Sequence, residues 1–278
     1  MKLETLINPI KKSDSFQTKK FEIDPSPYAF QLLIKQLYKN PIHSIIRELI
    51  SNAYDSHQQA NNPAPVKVLF PSILDPYFTV EDFGTGLSPD DINNIYTVLF
   101  RSNRRSSNEF IGGFGLGAKC PFSYTDHFLI TSFYKNTEFQ YAAIINAEGI
   151  PEINLINELP TTRPNGLIIK VPVLQEDHHK FIYGGKDILP WFPNLETNIE
   201  IEKPILLIDT PKFSVSKKIN FSSPGAFVLV QNIIYPLDLR TIFKHEYFFA
   251  PYGWKGSLIL KFQIGELSIT PNREDLNY

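Results

Sequence analysis

Three short runs of the chain carry residue types and spacings that could do chemistry. Glu48, Asn52 and Asp55 stand at i, i+4 and i+7 within PIHSIIRELISNAYDSHQ, residues 41–58. On a helix that spacing points a carboxylate, a carboxamide and a second carboxylate the same way. Asp82-Phe83-Gly84-Thr85-Gly86-Leu87 sets two alternating glycines behind an acid, which demands a sharp turn and a close approach. Gly112-Gly113-Phe114-Gly115-Leu116-Gly117-Ala118-Lys119 places four glycines within 112–117. Unobstructed backbone N–H groups ahead of a helix start at Ala118–Tyr124 make an anion cradle. It is not a P-loop, because Ala118 intervenes between the last glycine and Lys119. It is a poor dinucleotide fingerprint, because a polar loop and not an apolar strand precedes it.

The elements that must hold these runs are legible in outline. Residues 41–58 read as one helix, with Asn40 as cap and Pro41 at the first position. Ile45, Ile46, Leu49, Ile50 and Ala53 form its buried stripe. A preceding helix is expected over Tyr28–Tyr38. Val66–Pro71 and Tyr77–Glu81 read as a hairpin ending at Asp82. Ser88-Pro89-Asp90-Asp91 has the cap, proline and acids of a helix start, expected to run to about Leu99. Residues 101–109, RSNRRSSNE, are polar and locally basic, a composition that suits a mobile lid. Four antiparallel strands are expected at 127–134, 139–145, 152–157 and 166–173. A helix is expected at 177–189, followed by a boundary near 193–204. Further strands are expected at 20–23, 227–234, 257–262 and 266–270, with a helix over 240–249.

Composition narrows the class. The chain has 278 residues, net charge −2, 42% hydrophobic and 20% charged residues, which is the make-up of a soluble globular protein. Nothing in that balance argues for nucleic acid or an anionic membrane as partner. The single cysteine, Cys120, excludes a disulfide framework and fits a reducing compartment. No apolar run reaches membrane-spanning length, and the first residues lack the apolar centre of a secretory signal, so the expected location is the cytoplasm.

The boxes E-x-x-x-N-x-x-D (48–55), D-x-G-x-G (82–86) and G-x-x-G-x-G (112–117), in that order, resemble the Bergerat-fold ATPases. This is the GHKL group of DNA gyrase, the ninety-kilodalton heat-shock chaperone, histidine kinases and MutL. The resemblance covers about residues 20–175. It implies an α/β fold, an α+β two-layer sandwich of a mostly antiparallel sheet with helices on one face, binding ATP with Mg²⁺. By motif, Glu48 matches the general base and Asn52 the Mg²⁺ ligand. Asp55 matches a second polar contact, and Asp82 the acceptor of the adenine amino group. Gly84, Gly86 and Leu87 match the residues beside the base. Gly112, Gly113, Gly115, Leu116 and Gly117 match the phosphate cradle, with Lys119 adding charge. Asn94 and Arg101 are candidates for ribose or phosphate contacts. Gly166 matches the glycine of a Gly-Thr pair, but Leu167 stands where the family has threonine. Thr161, Thr162 or a water would have to replace that hydroxyl. A glutamate at position 48 favours hydrolysis over phosphotransfer to protein.

Residues 266–276, ELSITPNREDL, resemble the chaperone's middle-domain segment, whose arginine reaches the terminal phosphate. That makes Arg273 a candidate sensor, against the alternative of a turn arginine paired with Glu274 or Asp275. RSNRRSSNEFIGGFGLGAKCPFSYTDHF, NIIYPLD and IGELSITPNRE resemble the bacteriophage rapid-lysis rIIA family, which acts during infection in lysis timing or against host exclusion. The implied organisation is an N-terminal strap (1–24), an ATP-binding domain (25–196) and the start of a transducer-like α/β second domain (197–278). The implied behaviour is ATP-driven lid closure and homodimerisation, acting on a host or phage client. The alternative is a nucleotide-holding or inactive binding module.

Overall fold

A computed structural model of the protein describes residues 26–98, 115–217, 225–238, 256–270 and 272–277. The expected strand at 20–23, the 101–109 run, Arg101, Gly112, Gly113 and the expected helix over 240–249 lie outside the described residues.

The α/β class expected from the sequence is what the chain adopts. A seven-stranded mixed sheet has the order β5-β4-β3-β6-β2-β1-β7. Its strands are β1 Val66–Leu69, β2 Tyr77–Asp82, β3 His127–Tyr134, β4 Thr137–Ile145, β5 Pro151–Pro160, β6 Gly166–Pro172 and β7 Leu195–Thr197. Every pairing is antiparallel except β1 with β7. One face is apolar by strict alternation: Phe78 and Val80 on β2, Ile169 and Val171 on β6, Phe128 and Ile130 on β3. Two polar residues interrupt that face, Asp82 and Ser132, and both flank Leu167 in the cross-strand register.

The helices lie against this face. α1 (Pro27–Lys35) is capped by Ser26, and α2 (Pro41–Ala60) by Asn40, whose side chain accepts from the His43 N–H. α2 buries Ile45, Ile46, Leu49, Ile50 and Ala53, the stripe its periodicity predicts. It ends at Asn61 in the left-handed region, a conformation asparagine tolerates. α3 (Pro89–Asp91) opens on a full capping box between Ser88 and Asp91, then widens into a π turn at Ile92–Tyr96. α4 (His178–Ile188) packs on α2, and its Phe181 ring meets Phe78 at 5.4 Å between centroids. The helix expected at Ala118–Tyr124 is a 3-10 helix, Gly117–Ser123, with Pro121 inside it. Proline has no N–H to donate, so an α-helical ladder there would be incomplete.

A second, five-stranded sheet has the order β11-β10-β12-β9-β8. It comprises β8 Leu206–Asp209, β9 Phe213–Ser216, β10 Ala226–Val230, β11 Ile233–Pro236 and β12 Ser257–Phe262. The single strand expected at 227–234 is a hairpin instead, turning at Gln231 with φ +53°. The strand expected at 266–270 is an irregular turn closed by one bridge, Ile269 to Leu276. Val228, Val230, Ile233 and Tyr235 belong to the same apolar cluster as Ile45 and Leu49 of α2, so one core serves both sheets. Among the described residues no helix is long and apolar enough to cross a membrane.

Candidate functional site

The site forms where α2 passes the ends of β2 and β6 and the turn after Ile269. Glu48 is 2% exposed, so its carboxylate is buried and not on the surface. Its Oε2 lies 3.4 Å from Arg273 Nη1, and its Oε1 lies 3.8 Å from Arg47 Nε. Gly117 comes so close that a Cβ there would collide with the Glu48 carboxylate. The first and third boxes therefore meet at Glu48. Asp55 is also buried, while Asn52 between them is half-buried.

Arg273 is brought in by a turn built for it. Its φ is +53°, rare for a residue with a side chain, and its N–H donates to Thr270 O. The neighbouring Glu274 docks the turn onto the start of α2, accepting from the N–H groups of Lys39 and Asn40 and from Ser44 Oγ. Asn272 Nδ2 donates to Leu37 O, and Arg47 Nη2 donates to Asn272 O. Asp275 pairs with Lys39. Arg273 thus faces Glu48 and not its sequence neighbours, which decides between the two geometries the sequence left open. Burial pulls its pKa down, but Glu48, Tyr235 and Asp55 together leave it above the ordinary arginine value. It is fully charged. Its Nη1 is buried and has no hydrogen-bond partner.

The second box is pinned along its length. Asp82 Oδ1 accepts from Gly84 N–H, Ser56 Oγ from Thr85 N–H, and Ser132 Oγ both accepts from Leu87 N–H and donates to Leu87 O. Phe83 is held to the end of α2: its N–H donates to His57 Nε2 at 2.7 Å and its carbonyl accepts from Asn62 Nδ2. The glycines make room for protein. A Cβ at Gly84 would strike Ser56, at Gly86 the Phe133 carbonyl, and at Gly166 the Asp82 carbonyl. Gly86 also needs φ +67°, a conformation glycine adopts without strain.

Leu167 lies between Asp82 and Ser132 on the sheet face. The hydroxyl on that face beside Leu167 is therefore Ser132's; Thr161 and Thr162 follow the end of β5. Lys119 is buried, donates to Gly115 O at 3.0 Å and sits over the Tyr96 ring; burial lowers its pKa to about 8. Leu116 is buried in the core, and Asn94 is exposed on the π turn. Ser56, His57, Arg47 and Ser132 were not singled out by the sequence. The only signal for the first two was their place on α2 just past Asp55.

Residues 39–166 match the family described as histidine kinase-, DNA gyrase B- and HSP90-like ATPase. The matched segment holds Glu48, Asn52, Asp55, Asp82, the glycine-rich run and Gly166. No curated protein matches the chain. Arg273 and the second sheet lie outside the matched ATPase segment.

His57 gives this site a pH response. Its Nδ1–H donates to Ala64 O, so Nε2 is left as acceptor for the Phe83 N–H. Burial lowers its pKa below the usual 6.5, partly offset by the Ala64 carbonyl. Below that pH the unfolded chain takes up a proton that folded His57 resists, so stability should fall as pH drops through the range. His57→Gln should flatten this part of the dependence in urea unfolding between about pH 5 and 7. An unchanged slope would remove His57 as the cause.

Proposed function

We propose that the chain binds ATP with Mg²⁺ and hydrolyses it. The observation that carries the reading is the buried Glu48–Arg273 pair: a base and a cation facing each other at 3.4 Å beside Gly117. A buried guanidinium beside a glycine-rich turn can pair with a phosphoryl oxygen, so the residues fit a phosphate. Bound, ATP supplies the phosphoryl group to be transferred and Mg²⁺ neutralises charge on its oxygens.

The chain's own part is then as follows. Glu48 takes a proton from the attacking water. Arg273 stabilises negative charge on the phosphoryl oxygens. Asn52 offers its side-chain oxygen to the metal, and Asp55 supplies a second polar contact from the next turns of α2. Asp82, held by the Gly84 N–H, accepts from the adenine amino group, and Leu87 presents an apolar edge to the base. Gly115, Leu116 and Gly117 offer backbone N–H groups to phosphate, together with Gly112 and Gly113; Lys119 adds charge. Gly166 lets β6 approach Asp82 closely. Asn94 and Arg101 contact ribose or phosphate.

The domain limits (25–196 and 197–278), closure of the 100–113 segment, homodimerisation through the N-terminal strap, the cytoplasmic location and a role in phage infection are parts of the same reading. They rest on resemblance to the Bergerat and rIIA families. A second reading, a module that holds nucleotide without turning it over, is favoured by Leu167 in place of the family's threonine.

The test is MgATP binding by calorimetry with turnover by phosphate release, wild type beside Asp82→Asn, and mass by light scattering. Asp82→Asn should weaken binding by about 1.5–3 kcal/mol, the scale of a hydrogen bond to a charged group. Unchanged affinity would take Asp82 out of the adenine role. Wild-type binding without turnover would favour the second reading, and no binding would refute both.

A further inference from the structure

Phe83, between Asp82 and Gly84, is gripped at both of its backbone groups by the end of α2 and the turn after it. Its N–H donates to His57 Nε2 at 2.7 Å, and its carbonyl accepts from Asn62 Nδ2 at 2.7 Å. The same two side chains grip Ala64. His57 Nδ1 donates to the Ala64 carbonyl at 3.1 Å, and Asn62 Oδ1 accepts from the Ala64 N–H at 2.9 Å. His57 and Asn62 therefore form a double bridge between two stretches of main chain.

Both peptide groups around Phe83 are fixed by this bridge. The Asp82–Phe83 peptide has its N–H on His57 and its carbonyl against Gly166, where a Cβ would collide with it. The Phe83–Gly84 peptide has its carbonyl on Asn62 and its N–H on Asp82 Oδ1 at 2.8 Å. The direction of the Asp82 carboxylate follows from these two planes. α2 also carries Glu48, so the bridge ties the acid at the end of β2 to the helix that bears the proposed base.

His57 makes its half of the bridge in one protonation state only. The Phe83 N–H can only donate, so Nε2 must be a bare acceptor and Nδ1 carries the ring's proton. A second proton would set Nε2–H against the Phe83 N–H, and two donors repel. We propose that His57 and Asn62 are positioning residues for the base end of the nucleotide site, and that the hold on Asp82 lasts only while His57 is neutral. The charged groups around the ring are few. Asp55 lines the same cleft from α2, Asp82 adjoins Phe83, and Lys67 of β1 lies over the Phe83 ring and pairs with Glu196. The other described walls of that cleft, the 61–64 turn, Asn194 and the 231–232 turn, bear no charge. Burial keeps the ring below the usual histidine pKa, so the bridge is closed at neutral pH.

Positioning of a base contact presupposes the ATP reading above, and the test separates the two. The magnesium complexes of ATP and of inosine triphosphate, which has an oxygen where adenine has its amino group, are titrated into the full chain by calorimetry. The readout is the preference for ATP. The two ligands share ribose and phosphates, so phosphate protonation and any general loosening of the fold cancel in the ratio. His57→Ala and Asn62→Ala should each lower the preference about tenfold at about pH 7.5. In the wild type it should fall at least about threefold by about pH 5.5, as His57 takes up its second proton. His57→Gln should hold the preference within about twofold at both pH values, because its amide oxygen accepts from Phe83 N–H and gains no proton. That variant keeps the test decisive if either alanine variant fails to fold. Equal weakening of both nucleotides by His57→Ala would overturn the proposal. So would a wild-type preference that ignores pH, or one that falls alike in His57→Gln. A wild type that binds neither nucleotide would instead overturn the ATP reading and this proposal together.

Discussion

Glu48→Gln should lower ATP turnover by at least ~100-fold while MgATP still binds, because a positioned general base contributes about 10²–10⁴-fold. Glutamine keeps the shape that fits against Gly117 and removes only the charge and the proton affinity. Arg273 then loses its carboxylate partner at 3.4 Å in the nucleotide-free state. Less of its charge has to be drawn away from Glu48 when a phosphate arrives, so affinity for ATP should hold or rise. Single-turnover hydrolysis beside equilibrium binding separates the two effects. Turnover within a few-fold of wild type would place the base elsewhere, or leave none in the mechanism.

Arg273→Ala should cost both activity and stability. Glu48 is buried, and Arg273 is its nearest cation, itself only 5% exposed. Removing one partner of a buried pair leaves an uncompensated charge, typically about 3–5 kcal/mol. The lower end is expected, because Arg47 remains 3.8 Å from the carboxylate. Urea unfolding measures this directly. The double variant with Glu48→Gln should recover much of the loss, since it removes the stranded charge, and the cycle isolates the pair. A loss under about 1 kcal/mol, or strict additivity, would mean that the pair is not coupled. Turnover in Arg273→Ala should fall at least ~100-fold, in line with arginines that stabilise a transferring phosphoryl group.

Much of the frame around these residues was legible because it is written locally. Asn40 and Pro41 start α2, its apolar stripe sets the buried face, and the i, i+4, i+7 spacing follows from the helical repeat. The β1–β2 hairpin and the turn at Asp82–Gly86 are likewise carried by alternation and by glycine. Such features depend on residues within a few positions of one another, so the sequence by itself determined them.

Tertiary structure decided what depends on distant chain. Arg47 bonds to Asn272 across 225 residues, and the same docking turns Arg273 onto Glu48 and away from Glu274. Nothing near Arg273 in sequence signals its positive φ, because that conformation usually announces itself by glycine. Gln231 hid the β10–β11 hairpin for the same reason, so two strands read as one. The short strands β7, β8 and β9 have too few residues for alternation to show, and β7 exists only because β1 offers a parallel edge. Ser132 reaches Leu87 because sheet register, not sequence spacing, sets β3 beside β6 and β2. Helix stripes and tight turns are short-range physics; sheet order, ion pairs and left-handed turns without glycine are settled only when the chain closes on itself.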